Sequence, residues 1–350
     1  MISVRLLSFY IKFSLFVTAS IFLIISCSKS DSTANSTTEP DIYVCGEELT
    51  NPSTYFHTAK FWRNGIETIL SPGIYSANAY GMATNSNDDI YIVGSLATET
   101  SVLHKSEAVY WKNGVITILG NTQDNSIGSS IFVDGSDIYV AGWENYNGGY
   151  SVVRLWKNGV GSFLSDGSVD AIGKSIFVSG SDVYIAGFYD EKPMIYKNNV
   201  RTMLPSNNLK GQVNALFVSG NDVYAVGGLL TDEASRIYAP VYWKNGVLFT
   251  PEGLDVGEIS AITIVGNNVY MAGHYHNSGA VWKNGIRMSI PNISEADYLG
   301  AIAIRNSDIY VVGPVYVNSS NVIKVYKNGE AMALTSGNYF GYPSGIILQH

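Results

Sequence analysis

The sequence predicts an all-β fold: a seven-bladed β-propeller of four-stranded antiparallel blades, its ring closed by the C-terminal strand joining blade one. Three observations carry that prediction. The pattern D-x-Y-x-x-G recurs seven times, from Asp41, Asp89, Asp137, Asp182, Asp222, Asn268 and Asp308, at steps of 40 to 48 residues. Each copy is followed by an aromatic residue, a basic residue and Asn-Gly, starting at Trp62, Trp111, Trp156, Tyr196, Trp243, Trp282 and Tyr326, with Asn198-Asn199 in place of Asn-Gly in the fourth copy. The composition, with 35 Gly, 24 Tyr and only 14% charged residues, suits strands and tight turns.

Each repeat supplies four strands. Strand A is a short apolar run, as in Ile131-Phe132-Val133, Ile176-Phe177-Val178 and Leu216-Phe217-Val218. A Gly/Ser turn leads into strand B, the D-x-Y segment, and after a variable loop strand C ends in the aromatic-basic pair. Asn-Gly then forms a two-residue hairpin, because a type I′ turn needs positive φ at both central residues, and strand D follows. A four-stranded sheet at this period is a propeller blade. The chain enters at strand B of blade one, at Asp41, and its last apolar run, Ile346-Ile347-Leu348, is a strand A with no strand B after it. That strand is expected to complete blade one.

The repeat has the length of WD40 and kelch propellers but lacks their Gly-His, Trp-Asp and paired-Gly patterns, and it lacks the Asp-box of sialidase propellers. It resembles bacterial lipoproteins of seven-bladed propeller type with a Trp-Lys-Asn-Gly repeat. That resemblance covers residues 41–350 and implies a fold, not an activity.

The first residues read as an address. Arg5 and Lys12 precede an apolar run, Phe13 to Ile25, of 13 residues. A membrane-spanning helix needs roughly 20, so the run has the length of a signal-peptide core. Ile24-Ile25-Ser26-Cys27 resembles the bacterial lipobox, which implies a signal peptide over 1–26 and lipidation of Cys27. Seven of the 13 residues from Ser28 to Pro40 are Ser or Thr, so residues 27–40 read as the lipidated cysteine and a flexible tether, and 41–350 as the propeller. The expected location is the bacterial cell envelope, lipid-anchored at the outer membrane or facing the periplasm, with the membrane engaged through the lipid on Cys27. Cys45 falls where other blades have Val or Ala, and reads as a small buried strand residue.

Function classes narrow by exclusion. The formal charge is −8, with no cluster of Lys and Arg, which argues against nucleic acid. No Ser-His-Asp grouping, cysteine nucleophile or Gly-rich phosphate loop is visible, so no catalytic residue, cofactor or metal is assigned. His274 and His276 without a third ligand make a weak metal pair. The repeated Asp reads as structural, bonding nearby backbone N–H groups, since Asn268 replaces it once. The repeated Tyr and Trp read as inter-blade packing, and the Lys or Arg before Asn-Gly as a solvated hairpin charge.

Structural demands recur with every blade, whereas a single asymmetric ligand does not. The face carrying the variable B–C and D–A loops is therefore the expected functional face. Its B–C segments include Tyr55, Phe56 and His57 in blade one. The candidate ligand-binding residues are Trp143, Tyr146 and Tyr150 in blade three, Phe188 and Tyr189 in blade four, and His274, Tyr275 and His276 in blade six. Aromatics beside carboxylates such as Glu258 suit glycan stacking or a protein contact. The leading expectation is a binding or scaffolding module for a glycan or protein. The alternatives are a carbohydrate-active enzyme, lyase or hydrolase, with its site on the same face, and a structural spacer without a ligand.

Overall fold

The computed structural model describes residues 39–51, 56–71, 73, 75–97, 105–120, 124–146, 149–251 and 256–349. The signal peptide, Cys27 and most of the tether lie outside the described residues, as does Tyr55. The chain forms seven four-stranded antiparallel sheets, each with strands in the order A-B-C-D. The A strands of blades one to seven are Gly341–Gln349, Ala77–Thr84, Ser126–Asp134, Ala171–Ser179, Gly211–Ser219, Gly257–Val265 and Ala301–Arg305. The C-terminal strand pairs with Asp41–Asn51, matching Ile42 with Leu348 and Val44 with Ile346. Blade one is thus assembled from both ends of the propeller chain, as the repeat count requires.

The apolar core is divided among the blade interfaces. One cluster joins Tyr43, Cys45 and Ala59 of blade one to Ile92, Val109 and Trp111 of blade two. Another joins Val44, Trp62 and Ile346 of blade one to Tyr310, Val312 and Ile323 of blade seven. That second cluster seals the ring, so no blade face is left without a partner. Trp62, Trp111, Trp156, Trp243 and Trp282 are all fully buried, as is Cys45.

The repeat motif proves to be one hydrogen-bonded unit on the hairpin face. In each C–D turn both central residues have positive φ, for example Asn113 at 49° and Gly114 at 83°; Asn199 takes the glycine's place in blade four at 68°. The turn Asn reaches back to strand B. Asn113 Oδ1 accepts the Ile90 N–H at 2.9 Å, while its Nδ2 donates to Asp89 Oδ1 at 2.7 Å. The same pair recurs as Asn158–Asp137, Asn198–Asp182, Asn245–Asp222 and Asn328–Asp308. In blade six Asn284 donates to Asn268 instead, at 3.1 Å.

Two expectations are corrected here. The repeated Asp accepts from the hairpin Asn and Lys side chains of its own blade, because strands B and C end side by side at this face. The hairpin cation is not simply solvated. Lys112 pairs with Asp89 at 2.8 Å and lies over the Tyr91 ring at 5.3 Å, an arrangement repeated by Lys157, Lys197 and Lys244. The hydrogen bonds from Lys112, Asn113 and Asn85 hold the Asp89 carboxyl down at about 2.

The glycine that closes D-x-Y-x-x-G has a different cause. A Cβ on Gly94 would lie 1.8 Å from the carbonyl oxygen of Asn78, and on Gly142, Gly187, Gly227 and Gly273 within 2.0 Å of the corresponding strand-A carbonyls. Strand A crowds strand B at this level because it carries an extra residue there. The register slips between Ala79 and Gly81, Gly128 and Ser130, Gly173 and Ser175, Val213 and Ala215, and Ile259 and Ala261. In blade one the slip falls opposite Cys45 and Gly46, at Ser344. These are β-bulges, which leave one residue outside the ladder and re-aim its side chain.

Candidate functional site

The bulges define the axis of the ring. Tyr80, Ser129, Lys174, Asn214, Ser260 and Ser344, the extra residues of six A strands, line one cavity of about 470 Å³ together with Gly300 of blade seven. The cavity receives residues from all seven blades and continues past Met82, Ile131, Leu216, Ile262, Ile302 and Ile346. The backbone feature is repeated, but the side chain it presents is not: hydroxyl, phenol, ammonium and amide follow one another around the ring. The same contrast that favours the variable loops as a recognition surface therefore applies along the axis.

One side of the channel is a linked polar cluster from blades four, five and six. Lys174 Nζ donates to Gln212 Oε1 at 2.7 Å and Asn214 Oδ1 at 3.1 Å. Those amides donate onward to Glu258 Oε1, Gln212 at 3.0 Å and Asn214 at 3.2 Å. Burial pulls the Lys174 ammonium below its ordinary range, opposed by the Glu258 charge. Opposite Glu258 in the ladder stands His274, whose imidazole is likewise lowered by burial and partly restored by Glu258.

A second cluster comes from blades one, two and seven. Glu47 follows the crowded Gly46 and is paired in register with Tyr342. Its Oε1 lies 3.5 Å from His57 Nδ1, and its buried Oε2 has no hydrogen-bond partner. Burial pushes the Glu47 carboxyl up to about 8, so it holds its proton at neutral pH, although a backbone hydrogen bond from Ala79 works the other way. Burial also raises the phenols of Tyr80 and Tyr298, with Glu47 adding to the effect in both.

The eight sequence-derived candidates divide into two groups. Trp143, Phe188 and His274 each follow the crowded glycine of strand B and occupy the same register in blades three, four and six, where they pair with Ile127, Ile172 and Glu258. They stand on strands, not in loops, because strand B runs on past the glycine of its motif and strand A begins well before its apolar run. Phe188 lines a cleft of about 140 Å³ with Lys210, Gln212 and Tyr238 between blades four and five. Gln212 thus belongs both to this cleft and to the Lys174 cluster.

Tyr189 and Tyr275 are the last residues of the same B strands, paired with Ala171 and Gly257 and half-buried, whereas Tyr146, Tyr150 and His276 lie outside the strands. Tyr146 packs edge-on against Phe163 of strand D at 5.4 Å, and Tyr150 is exposed. Tyr189 lies under the Arg201 guanidinium, 3.4 Å from ring centre, and Tyr275 under that of Arg287 at 4.8 Å. His276 sits in the following turn at φ 48° with its ring 4.3 Å from that of Tyr275. His274 and His276 therefore turn to different neighbours, and among the described residues no group of three His, Cys, Asp or Glu is gathered as metal ligands.

Lys174, Asn214, Gln212, Tyr80 and Glu47 were not singled out from sequence. The available signal was positional: they occupy the register of the crowded carbonyl, the bulge or the residue after the glycine, where the repeats disagree.

No protein-family model matches the chain, and no curated protein matches it. Among solved structures it is similar to the computationally designed Ika8 protein, with 16% identity, a TM-score of 0.45 and coverage of 79% of this chain and 80% of that one. It is also similar to a triple arginine-to-alanine mutant of AofleA from Arthrobotrys oligospora, with 12% identity, a TM-score of 0.43 and coverage of 77% and 90%. The propeller architecture itself is carried by the seven sheets and the closing strand.

Proposed function

We propose that this protein is a lipid-anchored binding or scaffolding module of the bacterial cell envelope, which engages a glycan or protein ligand on the face where the B–C and D–A loops surround the channel mouth. The observation that carries the reading is the contrast between the two faces. The hairpin face repeats one Asp-Asn-Lys-Tyr unit, whereas the register positions toward the other face hold Trp143, Phe188, His274 and Glu47. A propeller gives such positions a rigid frame, which lowers the ordering cost of binding. The anchor rests on the Ser26-Cys27 junction and the Ser/Thr-rich stretch after it.

Two experiments test the reading. Cys27→Ala should abolish acyl labelling of the protein expressed in a bacterial host; persistent labelling would remove the anchor. A glycan array and an envelope-extract pull-down, each with the wild type and with Trp143→Ala, Phe188→Ala and His274→Ala, should show binding that those changes weaken while Lys112→Ala and Lys157→Ala do not. Loss at the hairpin lysines alone would place recognition on the wrong face. A second reading, a carbohydrate-active enzyme, draws on Glu47, a buried acid beside His57 that keeps its proton at neutral pH. Turnover of a bound glycan, lost in Glu47→Gln, would favour it over simple binding.

A further inference from the structure

The axial cavity is not an evenly polar pore. Lys174 brings a mostly buried ammonium to its wall, and its two acceptors are amide oxygens of the next blade. An ammonium has three donors, so these bonds leave one N–H of Lys174 for another acceptor. Glu258 is joined to Lys174 through the Gln212 and Asn214 amides, which hold carboxylate and ammonium apart. A buried cation neutralised at one remove is well disposed to accept an anion in direct contact. Phenol and hydroxyl groups line the rest of the ring, from Tyr80, Tyr298, Ser129, Ser260 and Ser344. Glu47, buried and with one oxygen unpartnered, is near enough to raise both phenols.

We infer that the axial channel is a binding site for a small sugar acid, its carboxylate on Lys174 and its hydroxyls on the Tyr80, Tyr298 and serine positions of the ring. The inference deepens the reading of this protein as a binding module and supplies a ligand class for the channel, using axial residues distinct from the candidate aromatics. Three features fit this class. The volume of about 470 Å³ falls in the range of small-molecule sites, about 300–1,000 Å³. The ammonium is single, which matches one carboxylate better than a dianionic phosphate. The remaining phenols and hydroxyls, placed around the ring on different blades, can donate and accept neutral hydrogen bonds, as a polyhydroxylated ring requires and an apolar acid does not.

The test is isothermal titration of the full chain with D-glucuronate, D-galacturonate and the neutral sugars D-glucose and D-galactose. At least one uronate should bind and its neutral counterpart should bind on the order of 10- to 100-fold more weakly, the value of one charge-assisted contact. Lys174→Met should weaken uronate binding by a similar factor, and Tyr80→Phe by about fivefold. Lys174→Gln keeps an amide in the cluster and provides a second loss-of-charge variant should Lys174→Met fold poorly; unchanged melting and circular dichroism identify the folded variants. Equal binding of uronate and neutral sugar, uronate binding unaffected by loss of the Lys174 charge, or no uronate binding at all would each overturn the channel assignment. If binding on the glycan array is then still lost in Trp143→Ala and Phe188→Ala, the loop-face reading survives that failure; if both sets of signals are absent, the binding reading itself falls.

Discussion

The five buried tryptophans of strand C offer a sensitive test of how the ring is held together, because their rings are equivalent and their polar atoms are not. Trp111 is fully buried in the interface between blades one and two, against Cys45, Ala59, Ala79 and Val109. Its Nε1 has no hydrogen-bond partner. Trp243 is just as buried between blades four and five, but its Nε1 donates to the Pro205 carbonyl at 2.8 Å. Replacing either by Ala should cost about 3–5 kcal/mol from lost burial and the cavity left behind. Replacement by Phe separates the two. At Trp243 it removes a hydrogen bond and strands a carbonyl, for about 1–3 kcal/mol beyond the packing loss. At Trp111 it removes an N–H that was already buried without a partner, which offsets part of the packing loss. Guanidinium unfolding followed by far-ultraviolet circular dichroism should therefore rank Trp243→Phe below Trp111→Phe by about 1–3 kcal/mol. A Trp111→Phe protein as unstable as Trp243→Phe, or less stable, would refute the account of these sites as packing positions differing in one hydrogen bond.

Further outcomes follow from other parts of the ring. Gly187→Ala would place a Cβ 1.9 Å from the Ile172 carbonyl and should lower stability by about 1–3 kcal/mol or more in thermal melting, whereas Gly81→Ala, whose Cβ has no neighbour nearer than 3.6 Å, should be nearly neutral. Deleting residues 345–350 removes the C-terminal half of blade one's inner strand with Ile346, Ile347 and Leu348, each side chain contributing about 1.5–3 kcal/mol when fully buried; the product should aggregate or unfold on gel filtration, and an unchanged melting temperature would show that this strand does not close the ring. The hairpin aspartates are held below their unfolded values, so their contribution is present above about pH 4 and is lost as pH falls through their folded values, near 2 for Asp89; acid unfolding of Asp89→Asn should be shallower over that window. Glu47 has the opposite sign. The folded chain keeps its proton up to about pH 8 and the unfolded chain releases it near 4.3, so wild-type stability should fall from pH 5 to 8 relative to Glu47→Gln; parallel pH profiles would place that carboxyl in water.

The seven blades, their strand order, the type I′ hairpins and the closing strand were legible in the sequence because each is a local demand repeated seven times. Asn-Gly turns need positive φ wherever they occur, Trp111 and its counterparts fill the same gap between blades, and the last apolar run had no partner other than strand B of blade one. The structural role of Asp89 was legible but its partners were not, because Asn113 and Lys112 come from a strand end brought alongside only by sheet pairing. The axial site was decided by tertiary structure alone. Lys174, Gln212 and Glu258 lie on three successive blades, and their sequence positions carry no spacing that marks a site. They meet because a bulge recurs at one level of every A strand from blade one to blade six, and ring closure turns those bulges toward a common axis. Tertiary structure also divided the candidate aromatics, extending strand B to take in Trp143, Phe188, Tyr189, His274 and Tyr275 and leaving Tyr146 and Tyr150 outside the strands. A linear pattern records which positions vary; only the closed ring determines which of them face one another.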